Sequence, residues 1–342
     1  MGLFAVNIPQ FCLFSLKSSD LFGTDFFKIN NKMQTPASEI ISTLSTVRDY
    51  IRWASSRFTE AQISFGQGTV AALDEAAALV LFTLHQPYNL SEEYFDCVLT
   101  LQERQAVIDI VDRRINDRIP AAYLTNESIF AGLSFYVDSR VLVPRSPIAE
   151  LIEQRFAPWV EEESVTRILD LCTGSACIAC ACAYAFPQAW VDAVDLSADA
   201  LAVAEINVQN HQLEDSVTLY QSDLFTDLIV HPYDIIVSNP PYVAQQEWEQ
   251  LPQEYHLEPD MAFKGGVTGL DLVIRILVDA NAYLAEQGIL VVEVGSSAQT
   301  LQDTFPDVPF YWLTFERGGD GVFLLTAEQV DHYHELFLAA LG

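Results

Sequence analysis

The spacing of hydrophobic residues from 36 to about 120 predicts helices. Five apolar residues recur at four-three intervals and predict one stripe of an amphipathic helix: Ile40, Leu44, Val47, Ile51 and Ala54. The apolar segment 71–85 predicts a second helix. Thr100 and Glu103 have the spacing of a capping box, which predicts the start of a third helix that ends near Pro120.

From residue 121 the pattern becomes that of strands. Aromatic and β-branched residues around Gly132 predict a hairpin, and VPRSP at 143–147 predicts a turn leading out of it. After residue 165, strand candidates alternate mostly with helical segments, which predicts a parallel sheet with helical crossovers. These candidates are RILDL (167–171), VDAVDL (191–196), VTLYQSDL (217–224), DIIVSN (234–239), ILVVEV (289–294), PFYWLTFE (309–316) and GVFLLT (321–326).

The last two strand candidates must pair differently from the others. Only RGGD, at 317–320, separates them, and because it is too short for a crossover we expect an antiparallel hairpin. Seven strands with the last one inserted antiparallel is the arrangement of the Rossmann-like methyltransferases, so we expect that α/β fold. The expected divisions of the chain are an extension or misassigned start (1–32, before Met33), a helical substrate-recognition domain (33–120), a hairpin bridge (121–150), a catalytic domain (151–330) and a C-terminal tail (331–342).

The negative charge of the chain limits the classes of partner that it can bind. Asp and Glu number 47 against 17 Lys and Arg, which gives a formal charge of −30. The densest basic stretch, at 113–118, is interleaved with aspartates, so stable nucleic-acid binding is disfavoured. The same negative charge would speed encounter with a basic protein. Alternatively, the charge only keeps the protein soluble. No apolar run approaches the length of a membrane span, and we expect no membrane association.

Four of the six cysteines fall within residues 172–182, where Cys177 and Cys180 form a C-x-x-C. A zinc site takes its ligands from two separated knuckles. Here the cysteines lie in an apolar segment that predicts a buried helix, in which cysteine acts as a small hydrophobe. We therefore expect no metal, and such thiols fit a reducing cytoplasm.

Polar groups at three strand ends predict a site for an adenosine-like cofactor. The first strand of the sheet runs into DLCTGSA, residues 170–176, where Gly174 permits a tight turn before a helix N-terminus. Asp195 ends the second strand and could accept hydrogen bonds from both ribose hydroxyls. Asp223 ends the third strand and is placed to meet an adenine edge. Ligands bind at this edge of open α/β sheets.

The fourth strand leads into Asn239, Pro240, Pro241 and Tyr242. A planar amide nitrogen is a poor nucleophile, because its lone pair is delocalised. Two hydrogen-bond acceptors, one for each N–H, would orient such a nitrogen and stabilise the positive charge that grows on it. The Asn239 side chain and the Pro240 carbonyl supply two acceptors, proline keeps the segment rigid, and Tyr242 can stack on the planar group.

The motif N-P-P-Y after a fourth strand resembles the signature of amino-group methyltransferases that use S-adenosylmethionine. The segments PAAYLTN (120–126), FYVDSRVLVPRSPI (135–148), DLCTGSACIA (170–179) and FERGGDGVFLLT (315–326) are similar to those of the ribosomal protein L-three glutamine methyltransferases. That family is a sibling of the release-factor glutamine methyltransferases, and LVPRSPIAE favours the ribosomal-protein branch. The resemblance runs from about Met33 to Val330.

The resemblance implies methyl transfer to a glutamine amide nitrogen of ribosomal protein L-three, with S-adenosylmethionine as cofactor and no metal. The implied cofactor-binding residues are Asp170, Cys172, Thr173, Gly174, Ser175, Ala176, Asp195, Asp223 and Asn239. The implied catalytic residues are Asn239, Pro240 and Tyr242. The implied substrate-binding residues are Asn239, Pro240, Pro241, Tyr242, Phe135 and Arg145, the last two shaping the substrate entrance.

Two residues depart from the family pattern: Ala176 stands where a second glycine is usual, and Thr268 where an acidic residue often precedes a glycine. The extra methyl group of Ala176 is expected to weaken cofactor binding at most. Release-factor methylation is the first alternative. A DNA adenine methyltransferase shares the four-residue motif, but the acidic charge argues against it. The last alternative is an interaction module whose cofactor pocket Ala176 has closed, and intact Asn239, Asp195 and Asp223 argue against that.

Overall fold

The computed structural model describes residues 35–341, so the predicted extension at 1–32 lies outside the described residues. The described part forms two compact units. The first unit comprises residues 35–65 and 71–118, and the second comprises 66–70 and 119–341. Within residues 35–341, no helix is both long and apolar enough to cross a membrane.

The first unit is helical, and its elements are α1 (Ala37–Thr43), α2 (Val47–Glu60), α3 (Ala72–Thr83) and α4 (Leu101–Asn116). The predicted stripe from Ile40 to Ala54 is therefore not one helix, which corrects the prediction. Thr46 forms a capping box with Asp49 and starts a new helix, and four-three spacing continues across such a break unchanged. The capping box predicted at Thr100 and Glu103 is confirmed.

A buried ion pair stabilises the packing of α3 against α4. Nε of Arg114 lies 2.6 Å from Oε1 of Glu75, and both side chains are almost fully buried. The guanidinium also donates to the backbone carbonyl of Ser64 at 2.9 Å. Removing one partner of such a pair would leave an uncompensated buried charge, which makes both residues structural for this unit.

The second unit begins with the short segment 66–70, where Gln67 donates to Glu258 at 2.5 Å. It continues with α5 (Ala121–Thr125), β1 (Ser128–Phe130), β2 (Leu133–Phe135) and α6 (Ile148–Glu153). β1 and β2 pair antiparallel around Gly132, which confirms the predicted hairpin.

A seven-stranded sheet forms the centre of the second unit. Its elements, with the intervening helices, are β3 (Arg167–Leu171), α7 (Cys177–Ala185), β4 (Trp190–Asp195), α8 (Ala198–Asn210), β5 (Val217–Gln221), β6 (Tyr233–Ser238), α9 (Gln245–Trp248), α10 (Asp271–Asp279), β7 (Leu284–Glu293), α11 (Ala298–Thr304), β8 (Tyr311–Trp312), β9 (Val322–Thr326) and α12 (Ala327–Ala340). The strand order is β5-β4-β3-β6-β7-β9-β8.

The pairing confirms the predicted fold class. β3 to β7 are parallel, and β9 is antiparallel both to β7 and to β8. The strand predicted at 309–316 is shorter than expected: only Tyr311–Trp312 is extended and paired, at the edge of the sheet. The strand predicted at 217–224 ends at Gln221, so Asp223 lies in the following loop.

Helices cover both faces of the sheet, and apolar side chains fill the two interfaces. One core packs α7 and α8 against the sheet, and the other packs α10 and α12 on the opposite face. Residues 331–340, predicted as a tail, continue α12. Phe337 of that helix is fully buried against Phe305, with ring centroids 5.3 Å apart, so this segment belongs to the folded unit.

Candidate active site

Four parallel strands end at the same edge of the sheet, and a cavity of about 390 Å³ lies there. This size is within the range of small-molecule sites. Six residues predicted to bind cofactor or substrate line this cavity: Cys172, Gly174, Asp195, Asp223, Asn239 and Pro241. The structure thus brings together residues that the sequence places at the ends of four separate strands.

The turn after β3 and the end of β4 are tied to each other. Gly174 has a φ of +56°, and nothing lies within 4 Å of the position that a Cβ would occupy. Its backbone N–H donates to Oδ2 of Asp195 at 2.9 Å, while the N–H of Ser197 donates to Oδ1 at 2.8 Å. Burial raises the pKa of Asp195 against the opposing effect of these N–H groups. The carboxylate is held at the cavity wall with lone pairs left to accept ligand hydroxyls.

Ala176 does not line the cavity. It is the residue before α7 and adopts a left-handed conformation, with φ 61° and ψ 23°. Its side chain is fully buried in the core, and its N–H donates to the carbonyl of Thr173 at 2.9 Å. The extra methyl group therefore packs among core side chains, and its cost is backbone strain rather than cavity volume.

Three more predicted cofactor residues are buried and do not line the cavity: Asp170, Thr173 and Ser175. Oδ2 of Asp170 accepts from Thr173 Oγ1 at 2.6 Å and from the N–H of Ala179 at 3.1 Å. Burial raises the pKa of Asp170 to about 7, although these two hydrogen bonds act to lower it. Asp170 thus joins the strand end to the first turn of α7.

Asp223 lies at the cavity in the loop after β5, with its side chain about half exposed. Its carboxylate forms an ion pair with Arg275 of α10, at 3.0 Å. The sequence did not indicate this partner, because Arg275 lies 52 residues further along the chain, beyond β6 and α9. A fixed carboxylate is better placed to meet a ligand edge than a mobile one.

The N-P-P-Y segment begins where β6 ends. Ser238 Oγ donates to the carbonyl of Leu171 at 2.8 Å, which fixes the strand end beside β3. Asn239 and Pro241 reach the cavity, whereas Pro240 is buried. Tyr242 is half-buried, does not line the cavity and donates its hydroxyl to Glu293 at 3.0 Å.

The two residues expected to shape the substrate entrance do not line the cavity. Phe135 is fully buried in the core, where its ring packs on Phe130 and His211, so it lines no entrance. Arg145 forms two hydrogen bonds with Glu258, at 2.9 and 3.0 Å. Burial alone would lower the pKa of Arg145, but the charge of Glu258 outweighs it and raises that pKa.

The Arg145–Glu258 pair acts on the cavity indirectly. Glu258 also accepts from the N–H of Val143 at 2.8 Å, and it directly precedes the segment 259–264. That segment supplies Pro259, Met261, Ala262 and Lys264 to the cavity lining. The pair therefore anchors a cavity wall, a role that the sequence analysis did not assign to either residue.

Sequence reasoning also missed the cavity residues Arg140, Met261 and Lys264. Met261 and Lys264 lie in a segment without a motif, whereas Arg140 lies within FYVDSRVLVPRSPI (135–148), a segment that carried the family resemblance. Glu293 was missed as well, although an acidic residue inside the apolar run ILVVEV was a visible signal.

The cysteines of α7 are buried, as the apolar pattern predicts. Burial raises the pKa of Cys177 to about 12 and that of Cys180 further, so these thiols stay protonated at neutral pH. Across residues 35–341, no three His, Cys, Asp or Glu side chains are grouped so as to hold a metal ion.

Comparison with known proteins identifies the family. Residues 154–254 match the family model described as Methyltransferase small domain. A ribosomal protein uL3 glutamine methyltransferase from Francisella tularensis subsp. tularensis is 45% identical over 305 residues, which cover 89% of this chain and 97% of the relative. The chain belongs to the ribosomal protein uL3 glutamine methyltransferase family. This confirms the resemblance drawn from the N-P-P-Y motif and its flanking segments.

A second relative supports the same assignment. The ribosomal protein uL3 glutamine methyltransferase of Xanthomonas campestris pv. campestris is 49% identical over 287 residues, which cover 84% of this chain and 93% of the relative. Among solved structures, a methyltransferase from Pyrococcus furiosus aligns with a TM-score of 0.42 and 16% identity, covering 57% of this chain and 89% of that chain.

Proposed function

We propose that this protein transfers a methyl group from S-adenosylmethionine to the side-chain amide nitrogen of a glutamine in ribosomal protein uL3. The reaction converts the primary amide to an N-methyl amide and releases S-adenosylhomocysteine and a proton. One observation carries the proposal: Asp195 and Asn239 line a single cavity in a member of this family.

The cavity fits the cofactor by its size and by its donor set. Gly174 leaves open space above the turn, and the anchored Asp195 carboxylate has acceptor capacity for two ribose hydroxyls. Asp223, held by Arg275, would accept from the adenine edge. When bound, S-adenosylmethionine supplies an electrophilic methyl group on a sulfonium.

The acceptor amide would be held by the N-P-P-Y segment. The Asn239 side-chain oxygen and the Pro240 carbonyl would each accept one amide N–H, and both would stabilise the charge that develops on the nitrogen. Tyr242 would stack on the amide plane. These roles require no metal.

The charge of the chain suits a basic substrate protein. With 47 acidic and 17 basic residues, the surface potential favours encounter with a ribosomal protein, since proteins that bind RNA phosphates are basic. The same charge supports the expectation of no stable nucleic-acid binding. Methylation of a ribosomal protein fits the cytoplasmic location that the thiols suggest.

A methyl-transfer assay with radiolabelled S-adenosylmethionine tests the proposal. Purified uL3 and a release factor are offered separately, with Asn239→Ala as the inactive control. We expect label on uL3 that the substitution abolishes. Label on the release factor alone would reassign the substrate, and the absence of label on both would refute the activity.

A further inference from the structure

Glu293 is a buried carboxylate inside an apolar strand. It is the last residue of β7, beside β6, and its exposed fraction is 3%. Oε1 accepts a hydrogen bond from the Tyr242 hydroxyl at 3.0 Å, and Oε2 accepts one from Ser146 Oγ at 2.5 Å. Burying a carboxylate costs free energy, and hydrogen-bond donors such as these two hydroxyls offset part of that cost.

The segment that follows Glu293 contacts Tyr242 at two further places. Ser297 Oγ donates to the backbone carbonyl of Tyr242 at 2.7 Å. Gly295 lies so close to the Tyr242 ring that a Cβ there would lie 2.4 Å from Cε2. The hydroxyl and the main chain of Tyr242 are therefore hydrogen-bonded by β7 and the segment that follows it, and Gly295 lies against the ring.

We propose that Glu293 is a positioning residue for methyl transfer, which fixes the Tyr242 ring in the orientation that orders the acceptor amide. This inference rests on the proposed function. Glu293 does not line the cavity itself and acts through the Tyr242 hydroxyl. A small misplacement of a group that orients the acceptor can cost about a hundredfold in rate, which is why a second anchor for the ring matters.

The protonation state of Glu293 sets how well it holds the ring. Both neighbouring hydroxyls donate to it, an arrangement that only the ionised carboxylate accepts in full. Burial raises the pKa of Glu293 to about 7, against the lowering effects of Ser146, Tyr242 and the Arg145 charge, while Asp320 raises it further. Protonation leaves one oxygen that accepts and one O–H that donates, and it replaces the charge-assisted hydrogen bond from Tyr242 by a weaker neutral one.

The pH dependence follows from this arrangement. As the pH falls through about 7, Glu293 takes up a proton and the Tyr242 anchor weakens, so methyl transfer slows. In Glu293→Gln the amide oxygen still accepts from Tyr242 and the amide N–H₂ can donate to Ser146 Oγ. This variant therefore reproduces the hydrogen bonds of the protonated carboxyl group and has no group that titrates there.

The test compares steady-state kinetics of wild type, Glu293→Ala, Glu293→Gln and Tyr242→Phe on uL3, with S-adenosylmethionine affinity measured by calorimetry. We expect kcat to fall about tenfold or more in Glu293→Ala and in Tyr242→Phe, with cofactor Kd unchanged. The double variant Glu293→Ala/Tyr242→Phe should be no slower than either single variant. Glu293→Gln should show at pH 8 the rate that wild type shows below pH 7, with no change between these pH values.

Glu150 provides the matched control. It is also a buried carboxylate, and it accepts from the backbone N–H groups of Glu316 and Arg317, at 2.9 and 3.1 Å, with no contact to Tyr242. Glu150→Ala should lower the melting temperature and leave kcat intact. If Glu293→Ala behaves like Glu150→Ala, or if its effect multiplies with that of Tyr242→Phe, the positioning role is refuted.

A measurement without substrate separates this inference from the proposed function. NMR of ring-labelled tyrosine should show slow flipping of the Tyr242 ring in wild type and Glu293→Gln, and fast flipping in Glu293→Ala. If the wild-type enzyme leaves uL3 unlabelled in the methyl-transfer assay, the proposed function is refuted, and the ring-flipping result for Glu293 is unaffected. Wild type that labels uL3, with equal flipping rates in all variants, would refute the role of Glu293 alone.

Discussion

The backbone N–H of Gly174 donates a hydrogen bond to the Asp195 carboxylate at 2.9 Å, and so joins the ends of two neighbouring strands. Asp195 is thus bound to the turn that its ligand would cover. A carboxylate can accept this N–H and a ligand hydroxyl at the same time. An asparagine side chain would direct its N–H₂ group toward one of these two donors and lose that hydrogen bond. Cofactor binding and the geometry of the turn depend on the same side chain.

Asp195→Asn should therefore weaken S-adenosylmethionine binding by about 10- to 100-fold, the loss of one or two hydrogen bonds to a charged group. Isothermal titration calorimetry measures this. Asp199→Asn, on the exposed first turn of α8, is the matched control and should bind as wild type does. Equal affinities of the two variants would contradict the assignment of Asp195.

Asn239→Ala should lower kcat for methyl transfer about 100-fold or more, because it removes an acceptor that would stabilise developing positive charge. Cofactor affinity should change far less. Asn281→Ala is the control: Asn281 lies away from the cavity and bonds Asp331 at 3.3 Å. An Asn239→Ala enzyme with normal kcat would show that the acceptor amide is held elsewhere.

Ala176→Gly should change the free energy of unfolding by less than about 1 kcal/mol, because the strain that glycine relieves at a φ of 61° is offset by the loss of a buried methyl group. Cofactor affinity should be unchanged, since the methyl group lies in the core and not at the cavity. Chemical denaturation measures the first and calorimetry the second. Ala183→Gly, inside α7, should instead destabilise by about 1 kcal/mol. Tighter cofactor binding by Ala176→Gly would indicate that the methyl group of Ala176 crowds the cofactor.

Asp170→Asn should change how stability depends on pH. The folded pKa of Asp170 is raised to about 7, above its unfolded value near 4, so its contribution is fully present below pH 4 and is lost as the pH rises through 7. Between these values the free energy of unfolding of wild type should fall, relative to the variant, by up to about 1.4 kcal/mol per pH unit. Denaturant titrations of both proteins from pH 4 to 8 measure the difference, and a constant difference would contradict the raised pKa.

Local sequence signals account for much of what was predicted correctly. The β-branched run before Asn239 and the two prolines after it define the end of β6, and Thr100 with Glu103 defines the start of α4. The connection from β8 to β9, residues 313–321, is longer than the predicted RGGD at 317–320 but still too short for a crossover, so the two strands pair antiparallel. Each of these signals depends on neighbours in the chain, which a sequence displays directly.

The spacing of apolar residues was weaker evidence for the boundary between α1 and α2 than the capping residues were. The stripe through Ile40 and Ala54 predicted one helix, yet Thr46 and Asp49 form a capping box that separates two. The four-three spacing continues through the break, so the pattern of buried positions is the same for one helix or two. The side-chain hydrogen bonds of Thr46, and not the stripe, decide the boundary.

The sequence by itself determined which strand ends carry polar groups, and parallel pairing then brings Gly174, Asp195 and Asn239 to one edge. Only the tertiary structure decided which side chains meet across the chain. Glu293 and Ser146 lie 147 residues apart in sequence and 2.5 Å apart in the fold. Such pairs follow from packing of distant segments, and no local pattern encodes a distance between them.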